Sequence, residues 1–363
     1  MQSSLSQPWL FPDAGIRAKN RAVLAPLTHN MSLEGGLVSD NELIWLEKAA
    51  AGGFGTLIAA ATLVADGGRC WPGQPALLTG QHQARFAEFA RIAASHGALA
   101  LVQLHHGGVR AIPGLNGRPP VGPSAIPAGG RYPLGVEALT DEGIEAMIAA
   151  FADAAVRAHG AGLHGVELHA AHHFLLCNFL NPEINQRSDK WGGSAANRAR
   201  ILLEIIGAIR ARVPRSFLIG VRLSPESYAN VQGIKLMNQL EITRLLAAGG
   251  LDYVHFSMGD SFKQADEFAG ESLLALIASQ LGGKLPLMVA GKVQNARDGD
   301  ALLGLGADMV AVGSAAIGNP DWVKRQSAGQ QLIAAPFSES WLLAQGFNER
   351  ALDYFRTVPG LVL

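Results

Sequence analysis

The sequence predicts a single-domain (β/α)8 TIM barrel, an α/β fold, on three observations. Eight short apolar runs recur through the 363 residues, with segments of helical period between them. The runs are continuously apolar rather than alternating, as strands covered on both faces are. The 43 glycines sit mostly just after those runs, where tight strand-to-helix turns need them.

In chain order, strands are predicted at 22–27 (AVLAPL), 56–61 (TLIAAA), 98–104 (ALALVQL), 163–169 (LHGVELH), 217–223 (FLIGVRL), 251–257 (LDYVHFS), 285–290 (LPLMVA) and 308–313 (DMVAVG). Helices are predicted at 81–96, 141–158, 197–212 and 238–248, with Thr140 as an N-cap ahead of Asp141 and Glu142. Residues 1–20 are expected to form a lid over the far end of the barrel, and residues from about 329 to 363 a terminal helical segment. Residues 104–139 and 170–196 exceed what the rhythm requires, and long loops after strands are where such barrels build their active face.

Composition narrows the function. With 48% hydrophobic and 16% charged residues, the chain can bury a large core. Its 29 basic and 30 acidic residues give a net charge of −1, which excludes the basic field that non-specific nucleic-acid binding needs. The longest apolar stretch, around Leu57 to Ala65, is far shorter than the ~20 residues of a bilayer span, and no basic-then-apolar leader opens the chain. A cytoplasmic protein with no membrane or nucleic-acid partner is expected. Cys70 and Cys177 fit no metal or redox spacing and read as reduced thiols.

Chemistry in a barrel sits at the C-terminal ends of the strands. Strand one ends in Ala25, Pro26, Leu27 and Thr28; strand two near Ala61; strand three in Gln103, His105 and His106. Strand four ends in Glu167, His169 and His172, strand five in Arg222, strand seven in Gly291 and Lys292, and strand eight in Gly313 and Ser314. The last two loops offer backbone N–H groups suited to a phosphate. Gln103 and Arg222 suit a planar, electron-rich ring across the barrel mouth, a description that FMN fits. His169 and His172, three apart, are expected to donate to one substrate oxygen, and each such donor is worth ~2.7–4 kcal/mol in a transition state.

Nearly the whole chain resembles the Old Yellow Enzyme family of NAD(P)H:flavin oxidoreductases, through NRAVLAPLTHN, ALVQLHHGG, GVELHAAHHFLLCNFLNPEINQRSDKWGGSAANRAR, GVRLSPE and AVGSAAIGNPDW. The resemblance implies a barrel binding FMN, reduced by NADH or NADPH, with a small unsaturated carbonyl or phenolic substrate. By position it implies that Pro26, Thr28, Ala61, Gln103 and Arg222 contact the flavin ring and ribityl chain. It further implies that Gly291 and Gly313 hold the phosphate, and that His169 and His172 grip the substrate oxygen. Three positions depart from the family pattern. Phe174 stands where a tyrosine proton donor is usual, so Tyr132, His173 or solvent must supply the proton, or the outcome is isomerisation or oxidase-like turnover. Ser314 replaces the usual phosphate-binding arginine, with Lys292 as the candidate replacement. His105 is expected to make the substrate pocket more polar.

Other readings stay in view. His164, Glu167, His169, His172 and His173 could form the metal site of a barrel hydrolase or lyase. Arg222 could be a buried structural partner of Glu167. Asn181, Arg187, Asp189 and Trp191 read as loop-fixing residues. No GxGxxG motif follows a strand, so NAD(P)H would use the substrate's pocket in alternating turnover. The segment NERALDYFRTVPG could reach the active site of a neighbouring copy, which leaves a homo-oligomer open.

Overall fold

The computed structural model describes residues 4–227 and 232–363, so the first three residues of the expected lid lie outside the described residues. Eight parallel strands close a barrel: β1 (Ala22–Leu24), β2 (Thr56–Leu63), β3 (Leu99–His105), β4 (Gly165–Ala170), β5 (Leu218–Leu223), β6 (Tyr253–Ser257), β7 (Leu287–Ala290) and β8 (Met309–Val312). Each pairs with its neighbour in sequence, and β8 returns to β1 through Val310, Ala311 and Val312.

All eight coincide with predicted runs, and two C-terminal ends differ by more than one residue, for local reasons. β1 stops at Leu24 rather than residue 27. Pro26 has no N–H to offer a ladder, so Ala25–Thr28 leave the sheet as an active-face loop. β2 runs on to Leu63 because its pairing with β3 shifts register between Ala59 and Thr62. That bulge re-aims the strand end at the barrel mouth, and Ala61 sits in it.

Helices α1 (Asp40–Ala51), α2 (Gly80–Ser95), α3 (Asp141–Gly160), α4 (Ala195–Arg210), α5 (Leu236–Ala248), α6 (Leu273–Leu281), α7 (Ala296–Gly304) and α8 (Trp322–Ser327) alternate with the strands. Their starts are chemically marked. Thr140 accepts from the Gly143 N–H at α3, and Ser39 with Glu42 forms a capping box at α1. The apolar faces of the helices meet the outer faces of the strands in one extensive core.

A second core fills the barrel. Alternate residues of a strand share a face, and the inward set near the strand starts is apolar: Ile58, Leu99, Leu101, Leu218, Met288 and Met309. A hairpin of Trp9–Phe11 with Ile16–Ala18 adds Phe11 to this cluster, its ring 5.9 Å from that of Tyr253. Further along the same strands the inward positions become polar, at Gln103, Glu167, Arg222 and His255, all buried. The floor is therefore apolar and the mouth polar. After α8 the chain adds two short helices, Glu339–Ala344 and Glu349–Arg356. They fold back on their own barrel: Arg350 donates to the carbonyls of Met31 and Ser32 at 3.3 and 2.8 Å.

Candidate active site

Strand register assembles the polar mouth. Gln103 lies opposite Glu167, His169 opposite Arg222, and Arg222 opposite His255. Glu167 accepts from Gln103 Nε2 at 2.8 Å, from the Tyr253 hydroxyl at 3.2 Å and from His255 Nδ1 at 2.8 Å. Burial alone would raise its pKa, but His255, Arg222 and these hydrogen bonds together hold it below the ordinary value, so it is ionised. Glu167 balances the Arg222 charge through space, and the direct hydrogen bond of Arg222 goes instead from Nη2 to Ser257 Oγ, at 3.0 Å. The Nε–H of Arg222 is buried without an acceptor.

That guanidinium borders a cavity of about 290 Å³ whose wall gathers Ala25, Pro26 and Leu27 from the end of β1, Gly291 and Lys292 after β7, and Gly313 and Ser314 after β8. Four strand ends read from the sequence thus meet in one place. Gly291, at φ 152°, passes so close to the β6 loop that a Cβ would lie 2.5 Å from the Met258 carbonyl oxygen. Beside it, the Ser261 hydroxyl is buried without a partner. Lys292 lines this wall, with its ammonium 3.0 Å from Asp260 Oδ2 and its side chain 66% exposed.

A second cavity, of about 870 Å³, is bordered by Thr28, Cys70, Trp71, Arg110, Tyr132, His173, Phe174, Ser224 and Tyr354, and His172 belongs to the walls of both. His172 and His173 adopt left-handed backbone, φ 58° and 65°, unusual for side-chain-bearing residues. The turn is clamped: His172 N–H donates to Ser224 Oγ at 3.1 Å, Arg110 to the His172 carbonyl at 2.8 Å, and Asn178 to the His173 carbonyl at 3.0 Å.

The sequence reading expected both His169 and His172 to aim at one oxygen. The structure instead links them to each other, His169 Nε2 to His172 Nδ1 at 3.0 Å, and only His172 reaches a cavity. The chain of contacts continues from His172 Nε2 to Ser257 Oγ at 2.8 Å, from His169 Nδ1 to His105 Nδ1 at 3.1 Å, and from His105 Nε2 to Cys70 Sγ at 3.7 Å. Arg222 can only donate, so Ser257 accepts from it and can pass its own proton to His172 Nε2. Each imidazole then donates to the next, ending at the Cys70 sulfur, and no N–H or O–H along the line lacks an acceptor. Burial first, with neighbouring positive charge, holds all three imidazoles well below their usual pKa, so they are neutral. Burial pushes the Cys70 thiol up to about 12, which leaves it protonated and unsuited to nucleophilic attack.

Other predicted residues separate by place. His105, expected at the pocket wall, is fully buried and lines neither cavity; it stands behind His169 and meets the Phe174 ring edge-on at 4.3 Å. Ala61 and Gln103 also line neither, Gln103 being turned to Glu167. Thr28 and Phe174 line the second cavity, where Arg110 lies 4.5 Å over the Phe174 ring. Arg187, Asp189 and Trp191 tie the loop after β4 to the start of α3, through Arg187 on the Leu139 carbonyl at 2.7 Å and Trp191 Nε1 on Asp141 at 3.2 Å. Asn181 donates to the Gln232 carbonyl at 2.7 Å. Among the described residues no group of three or more His, Cys, Asp or Glu is arranged to hold a metal ion. Sequence reasoning passed over Ser257, although the strand-end rule applied to strand six would have reached it. It placed Tyr354 toward a neighbouring copy, whereas Tyr354 lines this chain's own cavity and bonds to Thr28.

A profile of the NADH:flavin oxidoreductase / NADH oxidase family matches residues 11–332. The chain belongs to this family. It is 37% identical over 336 residues, 90% of its length, to the NADH:fumarate oxidoreductase of Klebsiella pneumoniae (strain 342), of which it spans only 36%. It is 32% identical over 334 residues to the probable NADH-dependent flavin oxidoreductase YqiG of Bacillus subtilis (strain 168), covering 90% of this chain and 88% of that one. The structure of the Old Yellow Enzyme homologue from Zymomonas mobilis superposes with a TM-score of 0.81 at 25% identity, covering 96% of this chain and 99% of that one. The family and the barrel imply FMN as the cofactor. The first cavity fits that cofactor: it offers a buried guanidinium with an unanswered N–H, and glycine backbone at Gly259, Gly291 and Gly313 along its wall.

Proposed function

We propose that this chain is an ene reductase, acting on a carbon–carbon double bond conjugated to an oxygen. FMN, when bound, takes a hydride from NAD(P)H and supplies one to the alkene. The Arg222 Nε–H would answer an acceptor on the flavin ring, and its charge, balanced by Glu167, would favour the anionic reduced form. Gly291, Lys292, Gly313 and Ser314 would hold the phosphate end, and Ala25, Pro26, Leu27 and Thr28 would flank the ring, with Ala61 and Gln103 supporting it from behind the wall.

One observation carries the reading: His172 alone among the paired histidines reaches both cavities, so it joins the cofactor wall to the substrate wall. Its imidazole would grip the substrate oxygen with the line of protons reversed, His105 donating to His169 and His169 to His172 Nδ1, so that His172 Nε2–H is free to donate to that oxygen. Arg110 adds a cation on the same wall that would favour charge building on that oxygen. Such an oxygen belongs to a small unsaturated carbonyl or a phenol. Phe174 supports a second reading, redox-neutral isomerisation or oxidase-like turnover, because a phenyl ring gives no proton.

Anaerobic mixing of the reduced enzyme with a panel of enones and enals separates the two, since reduction adds two hydrogens to the product and isomerisation none. His172→Ala should keep FMN, lose phenol binding and slow turnover by about 100- to 1,000-fold. Unchanged kinetics would remove His172 from the reaction.

A further inference from the structure

Reducing a double bond adds one proton as well as one hydride, and the second cavity holds few groups able to give it. Phe174 has none. Glu226 accepts from Lys263 at Oε2, 2.8 Å, and from the Asp266 N–H at Oε1, 2.7 Å, so both its oxygens are engaged. The Ser224 hydroxyl holds the His172 backbone, Tyr354 is bonded to Thr28, and the Cys70 thiol is turned to His105. Tyr132 differs, because its hydroxyl lies 3.1 Å from His173 Nε2 and both residues face the cavity.

The two rings come from separate loops, each held rigidly. Tyr132 closes a tight turn in which Gly129 and Tyr132 exchange backbone hydrogen bonds of 2.9 Å, made possible by Gly130 at φ 48°. His173 is held by its left-handed backbone and by the Asn178 clamp, and is 4% exposed. Burial, with Arg110 and Arg131 adding positive charge, lowers its pKa to about 4, so the ring is neutral and carries one N–H. Its Nδ1 is buried with no partner. A proton there would be a buried donor without an acceptor, at ~1–3 kcal/mol. Placed on Nε2, it donates to the Tyr132 oxygen, and the hydroxyl hydrogen of Tyr132 is left to point into the cavity.

We propose that Tyr132, with His173 donating to its oxygen, is the acid that protonates the substrate carbon next to the carbonyl. This rests on the ene-reductase reading. The alkene takes a hydride at its β-carbon, and the electron pair of the resulting enolate then forms a C–H bond at the α-carbon as the Tyr132 O–H bond breaks. The electron pair of that O–H bond stays on the phenolate, which the His173 N–H stabilises, and half-buried Tyr132 regains a proton from water. The reductant is NAD(P)H and no other co-reactant enters. Tyr132 is the catalytic residue and His173 its positioning partner.

The test uses the FMN-loaded enzyme with 2-cyclohexen-1-one as probe and the variants Tyr132→Phe, His173→Leu and His173→Gln. Anaerobic bleaching of the flavin by NAD(P)H should still go to completion in all three, which reports that they fold and hold FMN. Reoxidation by the enone should slow by about 100-fold or more in Tyr132→Phe. It should slow in His173→Leu, and stay near wild type in His173→Gln, whose amide can restore the donor. In the substrate-free wild type, nitrogen-15 NMR of the imidazoles should find the His173 proton on Nε2. Enone reoxidation by Tyr132→Phe at the wild-type rate, or a proton on Nδ1, overturns the proposal. A wild-type enzyme that NAD(P)H bleaches but that leaves the enone unreduced overturns the ene-reductase reading instead, and the proposal falls with it.

Discussion

Replacing Arg222 with methionine tests how the barrel mouth recognises its cofactor. Arg222 is 8% exposed, its Nε–H has no acceptor among the described residues, and its charge is matched through space by Glu167. A charge-assisted hydrogen bond is worth about 1.5–3 kcal/mol, so Arg222→Met should weaken FMN binding by about 10- to 150-fold. The same change strips a buried carboxylate of its compensating charge and should cost up to about 3 kcal/mol of stability, the lower end for a broken buried pair because the two are not in contact. Stability and affinity are separated by adding Glu167→Gln. The amide is neutral, and His255, whose Nε2 lacks a partner, can move its proton there and accept at Nδ1. The double variant should therefore recover most of the unfolding midpoint while remaining poor at binding FMN. Flavin-fluorescence titration of the apoprotein and thermal unfolding give the two numbers. An FMN affinity within threefold of wild type in the double variant would refute the assignment of Arg222 to the cofactor.

Two further expectations concern charge. Lys292 is tied to Asp260 on the wall of the first cavity, where the phosphate is proposed to lie, so Lys292→Ala should weaken FMN binding by roughly threefold at low salt and Asp260→Asn should tighten it, with both effects fading as salt screens them; equal affinities across the set would leave the phosphate without a lysine partner. Buried Glu42 has its pKa raised to about 7, chiefly by burial and against hydrogen bonds from Ser39 and Ser32. Its folded value exceeds the unfolded one of 4.5, so the stability it contributes is fully present below pH 4.5 and lost as pH rises through 7, by about 3 kcal/mol. Urea midpoints at pH 5 and 8.5 should fall more for wild type than for Glu42→Gln, and parallel falls would contradict the raised value.

The eight strands and their order are legible because a strand buried on both faces must be apolar throughout, and that requirement is written locally. The gathering of Pro26, Arg222, Gly291 and Gly313 is legible for a related reason: a closed parallel barrel brings all its strand ends to one rim, so chain position implies spatial position. Which atom bonds which is not written locally. His105 and His169 meet because β3 and β4 pair in one register, and the bond between them draws His105 off the pocket wall and into the interior. Tyr132 finds His173 across two loops, and Tyr354 returns to Thr28 from a segment more than 300 residues along the chain. Hydrogen bonds depend on tenths of an ångström between groups far apart in the chain, whereas burial depends only on an average over neighbours. The latter leaves its imprint in composition and period, and the former exists only once the chain has closed on itself.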